Sequence, residues 1–493
     1  MTYLPRPLLS ANQSRLAHQN TKRQEKSMQT NSGGNTTSEK VIRSVLDGCA
    51  DCDTCRFLMD ECCLLFPELY RLYDEEKEHG RPIGEDELQR LSELCTLCGL
   101  CPCPDIRMDV IRGKTERVRR KGMPMSIRLL ADVQRFGRLS TLAPKAFNRI
   151  LSFPPVCSMA KKVAGIHSQR KLPRIAGENF FAWARRQGLD RKPHRSPKAA
   201  YFAGCTAGYF FPEVARAAVA VLSFNGISVH VPPQQCCGMP TLLEGDERTT
   251  LERVRFNLEV LLKTARTGYD LVCSCPTCGF LLRILLRENA CYSDAYQKSV
   301  NATADEIKIP AASAEHKGFI RLKKSMYHKI LTDDGYFHEL NPLERIALSE
   351  SVMDMGQYLK RLHREKRLNT RFGRIDSRAA YFAPCHQREQ GIGRPYEKLL
   401  QLIPGLTVVS GGGAMDCCGM GGSLGFKKDF HEASLNLAQP LMRKIQAADP
   451  TVVITDCLSC RLQFQHMLPF PVFHPLELIS QAYELGRDEK EER

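Results

Sequence analysis

A chain of 493 residues, 43% of them hydrophobic, holds enough material for two to four domains with substantial cores. Its 22 cysteines exceed ordinary usage, yet the length and regular patterning exclude a small secreted disulfide scaffold. The net charge of +15 is localised, with 23 Lys and Arg against five Asp and Glu between Ile106 and Lys198, and no run approaches the ~18–20 apolar residues that span a bilayer.

Residues 1–40 read as a disordered basic tail: Ala11 to Thr37 is rich in Ser, Asn, Gln, Lys and Arg, without the apolar core of a secretory signal. Met28 is a second candidate start. Nine cysteines follow between Cys49 and Cys103, within a segment taken as 41–108. Cys49, Cys52 and Cys55 form one C-x2-C-x2-C run; Cys95, Cys98 and Cys101 form another. Three thiolates spaced so closely along the backbone can grip one face of a cubane cluster, and in two-cluster ferredoxins the fourth ligand, next to a proline, comes from the other run. Cys103, followed by Pro104, then completes the first set, and Cys62 or Cys63 the second. The gaps depart from the usual three residues, being one after Cys101 and six or seven after Cys55. A zinc ribbon would leave a cysteine over in each run and offers no partner histidine. Pro67–Lys77 and Glu85–Leu94 read as helices, with Asp86 and Glu87 well placed at a helix start. Residues 109–197 read as a basic helical connector with no interpretable motif.

The second half is a duplication. Ala199-Ala200-Tyr201-Phe202-Ala203-Gly204-Cys205 returns as Ala379-Ala380-Tyr381-Phe382-Ala383-Pro384-Cys385; Cys236-Cys237-Gly238 returns as Cys417-Cys418-Gly419; and Cys275-x-x-Cys278 returns as Cys457-x-x-Cys460. The offsets of 180, 181 and 182 mark a duplicated domain, taken as 198–290 and 379–480, with an insertion or bridge at 291–378 and a charged tail at 481–493. Each copy alternates strand and helix. The first has strands at Ala199–Ala203, Ile227–Val231 and Asp270–Cys273, and helices at Pro212–Phe224, Glu247–Thr267 and Gly279–Arg287. The second has strands at Ala379–Ala383, Leu406–Ser410 and Thr451–Thr455, and helices at Tyr396–Leu402 and Phe430–Ala447. This predicts an α/β fold with parallel βαβ units, in which cysteines that follow strand ends converge at one sheet edge. Ser349–Leu368 is predicted to be a bridging helix.

Each repeat thus offers five thiols, one more than a tetrahedral zinc or a regular cubane takes, which suits an enlarged or opened cluster. Cys157, Cys273 and Cys291 lie outside the pattern and read as small buried hydrophobes. His386, beside Cys385, could relay a proton or make a structural hydrogen bond.

On these motifs, and on Pro384-Cys385-His386 and Cys417-Cys418-Gly419-Met420-Gly421-Gly422, the stretch from Lys198 to Leu478 resembles the paired cysteine-rich CCG domains of the B subunit of heterodisulfide reductase. It is similar too to the C subunit of anaerobic glycerol-3-phosphate dehydrogenase and to glycolate oxidase iron–sulfur subunits. The N-terminal segment resembles the mostly helical, two-cluster ferredoxin-like domain that accompanies CCG domains in the glycerol-3-phosphate dehydrogenase. The resemblance implies two 4Fe-4S cubanes in the N-terminal segment and two noncubane 4Fe-4S clusters. One noncubane set is Cys205, Cys236, Cys237, Cys275 and Cys278; the other is Cys385, Cys417, Cys418, Cys457 and Cys460. Cys236, Cys237, Cys417 and Cys418 are then the cluster-borne candidates for catalysis.

No dinucleotide fingerprint or haem motif is present, so a flavoprotein dehydrogenase or another donor subunit is expected to supply electrons. The expected function is an electron-transfer subunit of an oxidoreductase complex with a quinone or disulfide acceptor. The alternatives are a heterodisulfide-type reductase in its own right and a non-redox zinc protein. The expected location is cytoplasmic or peripheral on the cytoplasmic face of the membrane, the basic segment meeting a partner, a membrane or a quinone site; no nucleic-acid module is recognised.

Overall fold

The structure is a computed structural model that describes residues 38–193, 196–311, 318–326 and 335–491. The basic tail up to residue 37, with Met28, lies outside the described residues; residues 38–40 already belong to a helix. No helix among the described residues is long and apolar enough to cross a membrane. The chain divides into two units, one comprising residues up to 95 with 103–122, the other 96–102 with 123–493.

The first unit is helical. Ser38–Cys52 buries Ile42, Val45, Leu46 and Cys49 at helical spacing. Leu65–His79 buries Leu65, Phe66, Leu69 and Tyr70, and ends where Gly80 turns left-handed and its N–H reaches the Glu76 carbonyl. Glu85–Glu93 starts on three acidic residues, and Glu87 accepts from the Gly84 N–H at 2.9 Å. Both helices match the sequence expectation within two residues at each end. A fourth, Pro104–Lys121, has proline in its first turn and Arg119, Arg120 and Lys121 in its last. Arg43 grips Glu76 through both terminal nitrogens, and Ser38 Oγ donates to the Gly113 carbonyl at 2.7 Å.

The second unit contains two parallel sheets built alike. In chain order the strands are β1 (Lys198–Phe202), β2 (Ser228–His230), β3 (Asp270–Cys273), an antiparallel pair β4 (Glu306–Pro310) and β5 (Phe319–Lys323), then β6 (Val352–Asp354), β7 (Ser377–Phe382), β8 (Leu406–Ser410), β9 (Val452–Thr455) and β10 (Val472–Phe473). The orders β2-β1-β3-β6 and β8-β7-β9-β10 are the same topology written twice. Registers align the strand ends: Phe202 lies opposite Cys273, Cys273 opposite Asp354, and Phe382 opposite Thr455. Residues that follow β1 and β3, or β7 and β9, therefore leave each sheet at its carboxyl edge.

The strands and most helices fall where the alternation predicts, with three differences. Ser349–Leu368 is not one helix: Pro342–Ser351 ends, β6 intervenes, and Met355–Arg364 follows. The short Val352-Met353-Asp354 run pairs with β3, so part of the 291–378 bridge completes the first sheet, as β10 completes the second. Gly279–Arg287 is an α-turn, Pro276–Phe280, that widens into a π-helical turn at Leu281–Leu285. The final helix runs Pro475–Glu491, so residues 481–491 continue a helix rather than begin a tail.

Both repeats contribute to one core, in which Tyr201, Tyr381 and Tyr396 are fully buried. Helix Pro212–Phe224 packs on helix Pro475–Glu491, with Phe224 and Tyr483 stacked at 4.1 Å. At the end of β6, Asp354 caps the next helix by accepting from the Gln357 N–H at 3.1 Å. Burial pushes its carboxyl up to about 6. A raised folded value means that its contribution to stability is fully present below about pH 4, is lost as pH rises to 6, and stays lost above. Asp354→Asn keeps the cap acceptor and removes the ionisation. Its melting temperature relative to wild type should climb between pH 4 and 6 and then level; a pH-independent difference would sink this account.

Candidate metal centre

The cysteines that follow the strands meet in one place. A cavity of about 300 Å³ within the second unit is lined by ten cysteines: Cys205, Cys237, Cys275 and Cys278 from the first repeat, Cys385, Cys417, Cys418, Cys457 and Cys460 from the second, and Cys98. Cys205 lies in the short helix after β1, Cys236 and Cys237 in the loop after β2, and Cys275 caps the helix after β3. The second set repeats this arrangement after β7, β8 and β9. Cys236 is buried behind Cys205, the two sulfurs 3.1 Å apart, and in the second repeat a different pair, Cys418 and Cys460, is in contact at 3.2 Å. No disulfide joins any of the 22 cysteines.

Glycine makes the loops possible. Gly238 and Gly419 both adopt left-handed φ values, +101° and +74°. A Cβ at Gly419 would collide with the Ser434 carbonyl oxygen, a backbone atom that cannot swing aside. Gly419→Ala should therefore lower thermal stability by several kcal/mol and depress metal loading at the second set; a variant with wild-type melting and metal content would refute this reading of the turn.

Polar side chains brace each loop. Gln234 accepts from the Ala203 and Gly204 N–H groups at 2.9 and 3.2 Å; Asn257 accepts from the Gln235 N–H and donates to the Cys236 carbonyl at 3.1 Å. Gln134 accepts from the Cys236 N–H at 2.6 Å, and Asp132 pairs with buried Arg253, which faces Cys236 and Cys205. In the second repeat Ser434 donates to the Gly419 carbonyl at 2.7 Å and meets Gln463. Gln463 Oε1 in turn accepts from Arg170 at 2.5 Å, and the other arm of Arg170 reaches Met420 Sδ at 2.8 Å. Gln134, Asp132 and Arg170 all come from the 109–197 connector, where no sequence signal set them apart from their neighbours.

His386 spans the two repeats. Its Nε2 lies 3.0 Å from the Leu97 carbonyl, so that nitrogen carries the proton and donates, leaving Nδ1 to accept from the Thr277 hydroxyl at 3.0 Å. With its ring stacked on Phe280 at 4.7 Å, the histidine acts as a brace. Pseudo-equivalent pairs sit behind the cysteines: Tyr201 OH with Ser274 Oγ at 2.7 Å, and Tyr381 OH donating to Asp456 at 3.1 Å.

The electrostatics suit a positively charged guest. Desolvation first, then Cys98, Cys418 and Cys457, pushes the Cys385 thiol well up; Cys417 is raised by desolvation and by Cys418, Cys385 and Cys98. Cys205 is raised by the thiol of Cys236, which is itself drawn down by its bonds to Cys205 and Cys237. Cys457 falls to about 6, led by its bond to Cys460 and aided by backbone N–H groups. Packed thiols cannot all ionise without a cation between them. Among the described residues no three His, Cys, Asp or Glu side chains gather as a single ion requires. A multi-iron core spreads thiolates over several irons and so fits a wider soft-donor set.

In the first unit, Cys55 is pushed up to about 11 by burial and then by Cys103, Cys52 and Cys62, and buried Tyr70 donates to the Cys49 carbonyl at 3.2 Å. Cys49, Cys52, Cys55, Cys62 and Cys103 thus share one neighbourhood, which places Cys62 beside the first run. Cys63 is half-buried, and the second run is divided, with Cys95 in the first unit and Cys98 and Cys101 in the second. Cys273 is buried, its thiol 3.5 Å from the Cys275 carbonyl, whereas Cys157 and Cys291 are only half-buried. The expectation that all three are buried holds for Cys273 alone, because Cys157 and Cys291 lie on short helices near the surface.

The profile of the cysteine-rich CCG domain matches residues 199–283 and again 379–465. The chain carries two CCG domains. It is 24% identical over 358 residues to the C subunit of the anaerobic glycerol-3-phosphate dehydrogenase of Escherichia coli K12, covering 72% of this chain and 76% of that one. It is 27% identical over 292 residues to the B subunit of the fumarate reductase (CoM/CoB) of Methanothermobacter marburgensis, covering 57% of this chain and 46% of the relative. Against lactate utilization protein A 1 of Bacillus mycoides it is 23% identical over 296 residues, 59% of this chain and 99% of the relative. The two CCG domains are those whose cysteines share the cavity, and the matched segments end before β6 and β10, which close each domain's sheet.

Proposed function

We propose that this chain is the iron–sulfur electron-transfer subunit of an oxidoreductase complex. The observation that carries the proposal is the shared cavity, with ten cysteines from both CCG domains and the Cys98 loop. Cys205, Cys236, Cys237, Cys275 and Cys278 would hold one noncubane 4Fe-4S cluster, and Cys385, Cys417, Cys418, Cys457 and Cys460 the other. The N-terminal runs, in a ferredoxin-like arrangement, would hold two cubanes, the first of them through Cys49, Cys52, Cys55 and Cys103. Bound clusters supply one-electron storage at each site. The protein's share is to keep the sulfurs in register through Gln234, Asn257, Ser434 and Gln463, and to exclude water by burial.

The relatives named as dehydrogenase and reductase subunits support a partner that delivers electrons, read here as a flavoprotein. Much of the remaining cavity wall is apolar, with Leu130, Val133, Phe147, Leu172 and Ile175. That wall favours an apolar ring acceptor such as a quinone over a charged one. The shared cavity also supports a second reading, reduction of a disulfide lying between the two cysteine sets. The reading places the protein in the cytoplasm or on the cytoplasmic face of the membrane.

Iron and labile sulfide on anaerobically purified protein, with EPR of oxidised and reduced forms, test the proposal. About sixteen irons per chain are expected from four clusters. About eight irons with ordinary cubane signals would remove the CCG clusters, and zinc in place of iron would overturn the reading.

A further inference from the structure

We infer that helices Met125–Ala131, Val133–Ser140, Pro144–Ser152 and Pro154–Val163 form a collar that docks on an anionic lipid bilayer and opens the cysteine-lined cavity toward it. The inference rests on the reading of that cavity as the place where electrons leave to an apolar acceptor.

The collar is unlike the rest of the surface. Nine of the fifteen exposed large hydrophobic side chains among the described residues lie between Met125 and Val163. Leu142 is 81% exposed, Val163 74% and Met125 65%, and Leu139, Phe153 and Met159 are more than half exposed. Concentrating this much apolar surface in one segment is not what solvated connectors do. The charge is equally one-sided: seven Lys and Arg stand in this stretch against a single acid, Asp132, which is committed to Arg253. Arg128, Arg135, Lys145, Arg149 and Lys162 are exposed. Short helices carrying apolar and basic side chains together, with no acid left over, match the chemistry of the interface of an anionic bilayer. A water-exposed protein partner would need acid and apolar surface interleaved; a bilayer supplies both without register.

The four helices close on one another. Phe136 and Phe147 meet at 5.4 Å, and a Cβ at Gly165, just past the last helix, would lie 3.4 Å from Ser126 in the first. Leu129 and Phe136 are each both exposed and part of the cavity wall, and Leu151 and Ala164 add the other two sides. The exposed apolar surface and the cavity wall are therefore the outer and inner faces of the same helices. An acceptor dissolved in lipid would reach the cysteines without crossing water.

The test is co-sedimentation of anaerobically purified, iron-loaded full-length protein with vesicles of phosphatidylcholine, with and without phosphatidylglycerol. Binding is expected only with phosphatidylglycerol and should weaken steeply as salt rises. Leu142→Asp with Val163→Asp, and separately Lys145→Glu with Arg149→Glu, should each reduce the bound fraction about tenfold or more, while iron content and EPR stay as in wild type. None of these four side chains lines the cavity. Iron-loaded wild type that ignores anionic vesicles, or variants that bind like wild type, would overturn the inference. So would tight capture by an acidic flavoprotein with no vesicle binding. Loss of iron in the wild type would instead strike the electron-transfer reading, so the two failures are distinct.

Discussion

Cys418→Ser should remove about four of about sixteen irons per chain and erase the EPR signal of the second CCG cluster while sparing the first. The sulfur of Cys418 is buried, touches that of Cys460 at 3.2 Å, and sits on the loop locked by Gly419 and Ser434. A serine hydroxyl in that place stays protonated and is a hard donor, so it cannot replace a thiolate on iron. The first set hangs on β1, β2 and β3, a separate sheet with its own braces in Gln234 and Asn257, and should load normally. Metal binding is also folding energy, so the variant should melt earlier than wild type only when both are loaded. Unchanged iron in Cys418→Ser would show that this loop holds no cluster.

Arg170→Met should make the second CCG cluster harder to reduce. Arg170 is fully buried, and among the described residues no carboxylate lies within ion-pair distance; its bonds go to the neutral Gln463 and Met420, and Nε finds no acceptor. Burial draws its guanidinium down to about 10, opposed by neighbouring Cys418. An unpaired buried charge is costly unless something nearby carries the opposite sign. An anionic thiolate-bound cluster does so, and more fully when reduced. Losing the charge should lower the ratio of reduced to oxidised cluster at fixed potential about tenfold, a shift of about 59 mV. Arg170→Lys should recover most of it. The buried arginine that faces the first set, Arg253, is already balanced by Asp132, so the first cluster should have the more negative potential. Redox titration followed by EPR would show both effects; a second-cluster potential that is the same in wild type and Arg170→Met would reject the argument.

Much of this site is legible in the sequence. The three landmarks at offsets of 180 to 182 identify a duplicated domain, and the cysteines of each landmark follow a predicted strand because β-branched and aromatic runs alternate with amphipathic helices. The N-terminal helices were readable from acidic first turns and the glycine stop. What local pattern does not carry is pairing. Val352-Met353-Asp354 is too short to announce a strand and is one only because β3 offers a free edge, so a predicted helix was broken there. Arg170, Gln134 and Asp132 look like ordinary connector residues, and their contacts with partners more than a hundred residues away exist only after folding.

The donor chemistry is written into the chain itself: the count of thiols, their grouping in fives and threes, and the strand ends that carry them. That cysteines of both fives face one cavity, and that the basic connector walls it, follows from folding alone. Covalent spacing limits which sulfurs can be neighbours along the chain, whereas neighbours between repeats depend on how two sheets bury a common core around Tyr201, Tyr381 and Tyr396.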